Sequence, residues 1–478
     1  MQAESGRQKL TILHTNDIHS HFETMSSVAA IISREKEAAG QEHVLVLDVG
    51  DHMDRAAAET EGTMGQANVD VLNLTGYDAI TIGNNEGLTI PPETLGTIYA
   101  GLQCPVVCCN ILETGTGTPP PWMKPYILLE KGGITIGIIG ATAAFSGFYQ
   151  LLGWDALEPE QAIAEQVREL RDKTDLIIVL SHLGLTIDKR LAENVDGIDV
   201  ILGGHTHHVL EEPLIIERTA VCAAGKFGAY VGKIVLERKT RSEPFGCKEG
   251  RLLSVTHELL EPEVEHAIIR HRQRAEETLS ETIAVTARDL PIHYERESPF
   301  ANLLAQAVRR HTGAQLSVVN SGQLLGPLPG GEISTGMLHA LCPSPINPCI
   351  IKLSGSDLVQ ALEESLLEEF SGKKIFGFGF RGYILGALAV DGMEIRYDAS
   401  AEPYRKISKI TVQGEPLDRS REYTVGTLDM FTFKVGYETL SHGQDTVYML
   451  PEFIRDLLRD ELSRPGALEQ TLIPRWLD

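Results

Sequence analysis

Five times before residue 208, a continuous apolar, β-branched run stops abruptly at an Asp, Asn or His. LTILHTNDIH delivers Asp17 and His19, HVLVLDVGDHMD delivers Asp51, and AITIGNN delivers Asn84. DLIIVLSHLG delivers His182, and IDVILGGHTHH delivers His205 and His207. Unbroken apolar runs belong to strands covered on both faces, since a strand with one wet face alternates. Between the runs, SSVAAIISREKEAA and PEQAIAEQVRELRDK carry apolar residues at helical spacing. Strand and helix in alternation predict an α/β fold.

With 478 residues the chain is too long for one core. At roughly 150 residues per domain, two or three domains are expected. From Pro262, PEVEHAIIRHRQRAEETLSE places Val264, Ile268, Ala275 and Leu279 on one helical stripe, with proline in the first turn. We read residues 1–260 as a first domain, 261–281 as a linker helix and 282–478 as a second domain. The second half mixes strand signals such as AQLSVVNSG with the amphipathic GSDLVQALEESLLEEF and the tract FGFGFRGY at 376–383.

The net charge of -24 argues against a nucleic-acid polymer as ligand, because phosphate backbones are held by clustered Lys and Arg. Small anionic substrates remain compatible with it where bound cations supply the positive charge. The start MQAESGRQKLTILHTND has no apolar leader segment, and no window reaches the roughly 18 apolar residues of a membrane span. The seven scattered cysteines read as buried thiols. A cytoplasmic protein with no membrane partner is the expectation.

A lone histidine at a strand end is most often a surface group, and an Asp there is most often a cap or turn former. Recurrence at five strand ends changes that balance in favour of metal ligands. Carboxyl ends of strands converge in an α/β sheet, so donors from residue 17 to residue 207 can meet. Asp17 and His19, like His205 and His207, stand at i and i+2 and would share one face of an extended segment. Two carboxylates, one amide and four imidazoles exceed a tetrahedral site but suit two cations about 3.5–4 Å apart sharing a carboxylate. Oxygen and nitrogen donors without thiolate favour Mn, Zn, Fe or Mg.

In their order, HTNDIH, GDH, GNNE, SHLG and GGHTHH resemble the motif set of the calcineurin-like metallophosphoesterases, and the two-domain layout resembles the bacterial 5′-nucleotidase family. The resemblance implies a four-layer α/β/β/α metallophosphatase domain followed by an α+β 5′-nucleotidase-type C-terminal domain. It implies that Asp17, His19 and His207 hold one divalent ion, that Asn84, His182 and His205 hold the other, and that Asp51 bridges them. The implied activity is hydrolysis of phosphate esters or anhydrides of nucleotides, of 5′-nucleotidase or cyclic phosphodiesterase type, by water activated on the metals. A small phosphorylated substrate, in the first instance a nucleotide, is the implied partner. The alternatives are a catalytically weak member that binds a phosphorylated ligand, or a hydrolase of a sugar-nucleotide or non-nucleotide phosphate.

The chain departs from the family at Asn85, where a histidine is usual, and at Leu88, where its aspartate partner is usual. Asn85 therefore takes the catalytic position without a proton or a positive charge to give. His21, His52 and His208, each near a ligand in sequence, are the candidate substitutes. For the substrate, the resemblance points to Asn320 in NSGQLLG, Asn347 in SPIN, Arg381 in the glycine-rich tract, and Phe431 or Phe433 in LDMFTFKVGY. The arginine usual in the first of these turns is Leu325 here.

Overall fold

Each apolar run of the first half is a buried strand in the computed structural model, which describes residues 7–477. Residues 1–6, part of the start read above as lacking an apolar leader, lie outside the described residues. The strands form two sheets. The first has seven strands, in the order Gly246–Ser254, Tyr230–Arg238, Gln8–Thr15, Val44–Asp48, Ala79–Ile80, Val106–Val107, Met123–Lys124. The second has six: Leu214–Ile216, Thr219–Cys222, Val200–Gly203, Leu176–His182, Ile134–Thr142, Tyr126–Lys131. The donor-bearing strands pair in parallel within each sheet, so their carboxyl ends lie at one edge.

Both faces of these strands are buried, for different reasons. Leu10, Ile12 and Leu47 of the first sheet meet Ile138, Leu180 and Leu202 of the second in a core between the sheets. The opposite phase of the first sheet, Leu13 and Val46, packs on helices Phe22–Ala39, Gln66–Thr75 and Pro92–Tyr99. That of the second, Ile177, Val179 and Ile201, packs on Pro159–Leu170 and Leu185–Asn194. The result is the four-layer α/β/β/α order. Each fully buried Leu or Ile contributes about 1.5–3 kcal/mol relative to exposure, and this explains the absence of polar alternation in the sequence.

The helix expected over 261–281 runs Pro262–Leu279. Its buried stripe comprises Val264, Ala267, Ile268, His271, Ala275 and Leu279. Val264 and Ile268 enter the same core as helix Phe22–Ala39, and His271 Nε2 lies 2.7 Å from Asp70 Oδ2. The chain divides into two compact units between Ala275 and Glu276, inside this helix. Most of the helix is therefore part of the first unit's packing.

The second unit is α+β. A five-stranded sheet runs Leu388–Asp391, Leu316–Asn320, Glu422–Leu428, Pro348–Ser354, Gln444–Tyr448, with one parallel pair, Leu316–Asn320 on Glu422–Leu428. Helix Pro299–Thr312 buries Phe300, Leu303 and Leu304 in the core of this unit. All seven cysteines are free thiols. Among the described residues, no helix is long and apolar enough to cross a membrane.

Candidate metal centre

The loops beyond the strand ends adopt backbone that L-residues usually avoid. Asp17, His19, Ser20, Asp51, His205 and His207 all have φ between 48° and 72°. Left-handed conformations at non-glycine residues carry strain of order 1–3 kcal/mol each and persist only where the surroundings enforce them. The extended i, i+2 geometry expected for Asp17–His19 and His205–His207 is therefore replaced by tight turns. Backbone hydrogen bonds hold two of these turns together: Asp17 N–H donates to Gly50 O (3.0 Å), His19 N–H to Asp51 O (2.8 Å) and Ser20 N–H to His52 O (2.9 Å). Glu86 ties in the GNNE turn. Its carboxylate accepts from the backbone N–H of Asp51 (3.0 Å), Gly83 (2.8 Å) and Met53 (2.8 Å).

These turns bring donors from both sheets together. His19 Nε2 and His207 Nε2 face each other at 3.2 Å, and Asp17 Oδ1 lies 3.8 Å and 3.5 Å from them. His182 Nε2 is 3.3 Å from Asp51 Oδ2 and 4.0 Å from Asp17 Oδ1. Asp51 Oδ2 is also 3.8 Å from His19 Nε2. Two groups of donor atoms suited to a cation result, Asp17–His19–His207 and Asp17–Asp51–His182, each within 4.8 Å. Asp17 is common to both, and Asp51 reaches toward a histidine of each. Asn84 and His205 complete the cluster, with Asn84 Oδ1 2.8 Å from His205 Nδ1. The His205 backbone N–H donates to the Asp17 carboxylate at 3.0–3.1 Å.

The donors fit divalent cations. His182 accepts its tautomer from the fold: Nδ1 donates to Val49 O at 2.8 Å, leaving Nε2 buried with no well-directed hydrogen bond. Burial pushes the His182 imidazolium down, but the Asp51 and Asp17 carboxylates outweigh it and hold the group up at about 10. Burial opposes the Asp51 charge too, and the neighbouring imidazoles overcome it to hold the carboxyl well below the usual range. Burial, together with the His182 charge, pushes His205 down to about 4, which keeps it neutral with a lone pair to offer. A divalent ion would take the place of the proton that these carboxylates hold on His182 and neutralise the buried charge of Asp17 and Asp51.

Asn85 sits beside this cluster. Its backbone N–H donates to Asp51 Oδ1 (2.7 Å), and its amide Nδ2 lies 2.9 Å from His19 Nδ1 and donates to Met53 O (3.2 Å). Leu88 is half-buried against the helix-side core, consistent with its apolar character. Of the three histidines considered as substitutes, His52 is buried 3.2 Å from Asn68 Nδ2, and His208 is exposed, 2.8 Å from Thr206 Oγ1. His21 lies 2.6 Å from the Glu23 carboxylate and packs on Phe227 at 3.9 Å between ring centroids. Phe227 in turn sets its edge against His19. Asp54, Glu86 and Phe227 were not singled out in the sequence. GNNE offered a signal for Glu86, because a Glu three residues into a helix commonly reaches back to the first N–H groups.

In the second unit the proposed substrate residues divide. Phe431 has no exposed surface and packs at 6.2 Å on Tyr437, so no face is left for a ligand. Asn320 is fully buried, donating to Leu385 O (2.6 Å) and accepting from Gln323 Nε2 (3.0 Å). Asn347 donates to Glu452 O at 2.8 Å. Both side chains are buried, and these bonds tie neighbouring loops together. Phe433 and Phe378 are exposed and stack, with centroids 6.0 Å apart and planes at 24°. Arg381 is half-buried three residues beyond Phe378, its backbone N–H on Ser344 Oγ (3.1 Å).

Comparison with known proteins agrees with this geometry. The model of the calcineurin-like phosphoesterases matches residues 10–209, and that of the 5′-nucleotidase C-terminal domain matches residues 278–442. The uncharacterized metallophosphoesterase YunD of Bacillus subtilis is 35% identical over 96% of this chain and 100% of its own length. Two solved structures share the fold. The NAD nucleotidase of Haemophilus influenzae has a TM-score of 0.70 at 17% identity, over 96% of both chains. A 5′-nucleotidase precursor from Thermus thermophilus has a TM-score of 0.61 at 23% identity, over 98% of this chain and 99% of that one. Donor cluster, layer order and matched relatives agree, and the chain belongs to the calcineurin-like metallophosphoesterases of two-domain 5′-nucleotidase architecture, a family of metal-dependent phosphoester hydrolases.

Proposed function

We propose that this protein hydrolyses phosphate esters or anhydrides of nucleotides with two divalent cations, drawn from Mn, Zn, Fe and Mg. The observation that carries the reading is the convergence of Asp17, His19, Asp51, His182 and His207, from strands of both sheets, into two overlapping groups, with Asn84 and His205 paired beside them. Asp17, His19 and His207 would hold one ion and Asn84, His182 and His205 the other, with Asp51 between them. When bound, such ions neutralise charge on the phosphoryl oxygens and acidify the attacking water. The chain's own part is to hold this frame in place: Val49 O sets the His182 tautomer and Glu86 anchors the Asp51 turn.

Asn85 has no proton to hand to a leaving oxygen. A general acid is worth about 10²–10⁴-fold, so its absence selects for leaving groups that need none. Anhydrides, cyclic diesters and aryl phosphates are expected to turn over at least tenfold faster than alkyl monoesters of similar size. The exposed Phe378–Phe433 pair offers an aromatic face for a nucleobase, with Arg381 nearby in sequence for a phosphate. The 5′-nucleotidase and nucleotidase names of the structural relatives favour the same substrate class.

The test is purified full-length protein with Mn²⁺ against a nucleotide panel and aryl and alkyl phosphates. Turnover that disappears with a chelator and falls to background in Asp51→Asn supports the reading. Equal or faster rates on alkyl monoesters would overturn the leaving-group argument. Tight nucleotide binding without turnover in the unaltered protein would instead identify a ligand-binding member.

A further inference from the structure

His19 presents two edges to two different environments. Its Nε2 faces the donors Asp17, Asp51 and His207. Its Nδ1 faces away from them, 2.9 Å from the Asn85 amide and 3.4 Å from Asp54 Oδ2. A neutral histidine that offers Nε2 to a metal carries its hydrogen on Nδ1, and that N–H needs an acceptor. Asp54 supplies a carboxylate. Asn85 places its amide Nδ2 at this edge, and its oxygen faces the ring when the amide is turned over, a rotation that leaves its outline unchanged and gives up the Nδ2 bond to Met53 O.

Neither group is loosely placed. Asp54 Oδ1 accepts from Ala56 N–H at 2.8 Å, and the Asp54 backbone N–H donates to Ser20 Oγ at 2.8 Å. Ser20 Oγ is itself the hub of a buried set, accepting from Thr60 Oγ1 (2.7 Å) and Asn68 Nδ2 (2.9 Å). Asn85 is pinned through its backbone N–H to Asp51 Oδ1. A rigidly held carboxylate, and an amide fixed through its backbone, therefore meet the same edge of one candidate ligand.

We propose that Asp54 and Asn85 are positioning residues for His19, fixing its ring and tautomer so that Nε2 points at the metal position shared with Asp17 and His207. The inference rests on the two-cation reading above. It assigns Asn85, at the position where a catalytic histidine is usual, to support of a ligand. Partners of this kind are commonly worth about 10- to 100-fold in metal affinity.

The test is calorimetric titration of Mn²⁺ into the metal-free full-length protein, with His19→Ala identifying which of two binding events involves His19. In Asp54→Ala that event should weaken about 10- to 100-fold while the other stays within about threefold. Asn85→Ala should act on the same event, and Asp54→Glu should restore part of the loss. Unchanged binding in Asp54→Ala and Asn85→Ala overturns the proposal. So does parallel loss of both events with a lowered melting temperature of the metal-free protein, which marks a merely structural role. Failure of the unaltered protein to bind Mn²⁺ is distinguishable from these outcomes, because it removes the two-cation reading and this inference with it.

Discussion

Gly83 illustrates how tightly single positions are constrained near the donors. A Cβ placed there would lie 2.0 Å from Asp51 Oδ1 and 2.5 Å from Asp51 N. The second of these atoms is backbone, pinned through Glu86, and cannot swing aside. Gly83→Ala must therefore displace Asp51. Overpacking of this kind typically costs about 1–3 kcal/mol, and the larger effect should be on the site. We expect metal binding reduced to near background with a melting temperature only a few degrees lower, measured by titration and thermal denaturation of the same sample. Donor identity was legible at this scale because residue type declares chemistry: imidazole, carboxylate and amide recur at successive strand ends. The partners of those donors were not. Asp54 reads as one more acidic turn residue, and only the fold sets its carboxylate beside His19.

Among the elements, strands and helices were readable where a periodic pattern meets a continuous core. The stripe of Val264, Ile268, Ala275 and Leu279 is a case, and the helix lies within two residues of its expected C-terminal end. What the stripe packs against had to come from the structure, because a long helix with polar flanks reads equally well as a bridge. Since Ile268 is buried in the core shared with helix Phe22–Ala39, Ile268→Ala should lower the stability of the first unit by about 2–5 kcal/mol. Calorimetric unfolding checks this: a change confined to the second unit's transition would contradict the assignment. Short loop elements were less legible. Phe431 lies within the single turn Asp429–Thr432 and Phe433 directly follows it, yet one is core and the other exposed. Two residues apart on a helical turn means opposite sides, and which side is buried depends on packing from elsewhere.

For the whole molecule, all seven donors and the three cores that carry them lie before residue 276. Residues 1–281 alone should therefore fold and bind Mn²⁺ with the stoichiometry of the full chain, as measured by elemental analysis after gel filtration. Loss of nucleotide turnover in that fragment, with metal binding retained, would assign substrate recognition to the second unit. Failure to bind metal would contradict the independence of the first. From its residues alone, the chain could be read as alternating strands and helices with a metal-type side chain at each strand end, because periodicity and donor chemistry are local properties. Tertiary structure alone decided that Asp17 is common to both donor groups, that Asn85 turns to His19, and that Phe431 is unavailable to a ligand. Each of those facts is a meeting between segments far apart in the chain, set by strand register and by turns strained into left-handed backbone, and neither leaves a mark on the local pattern.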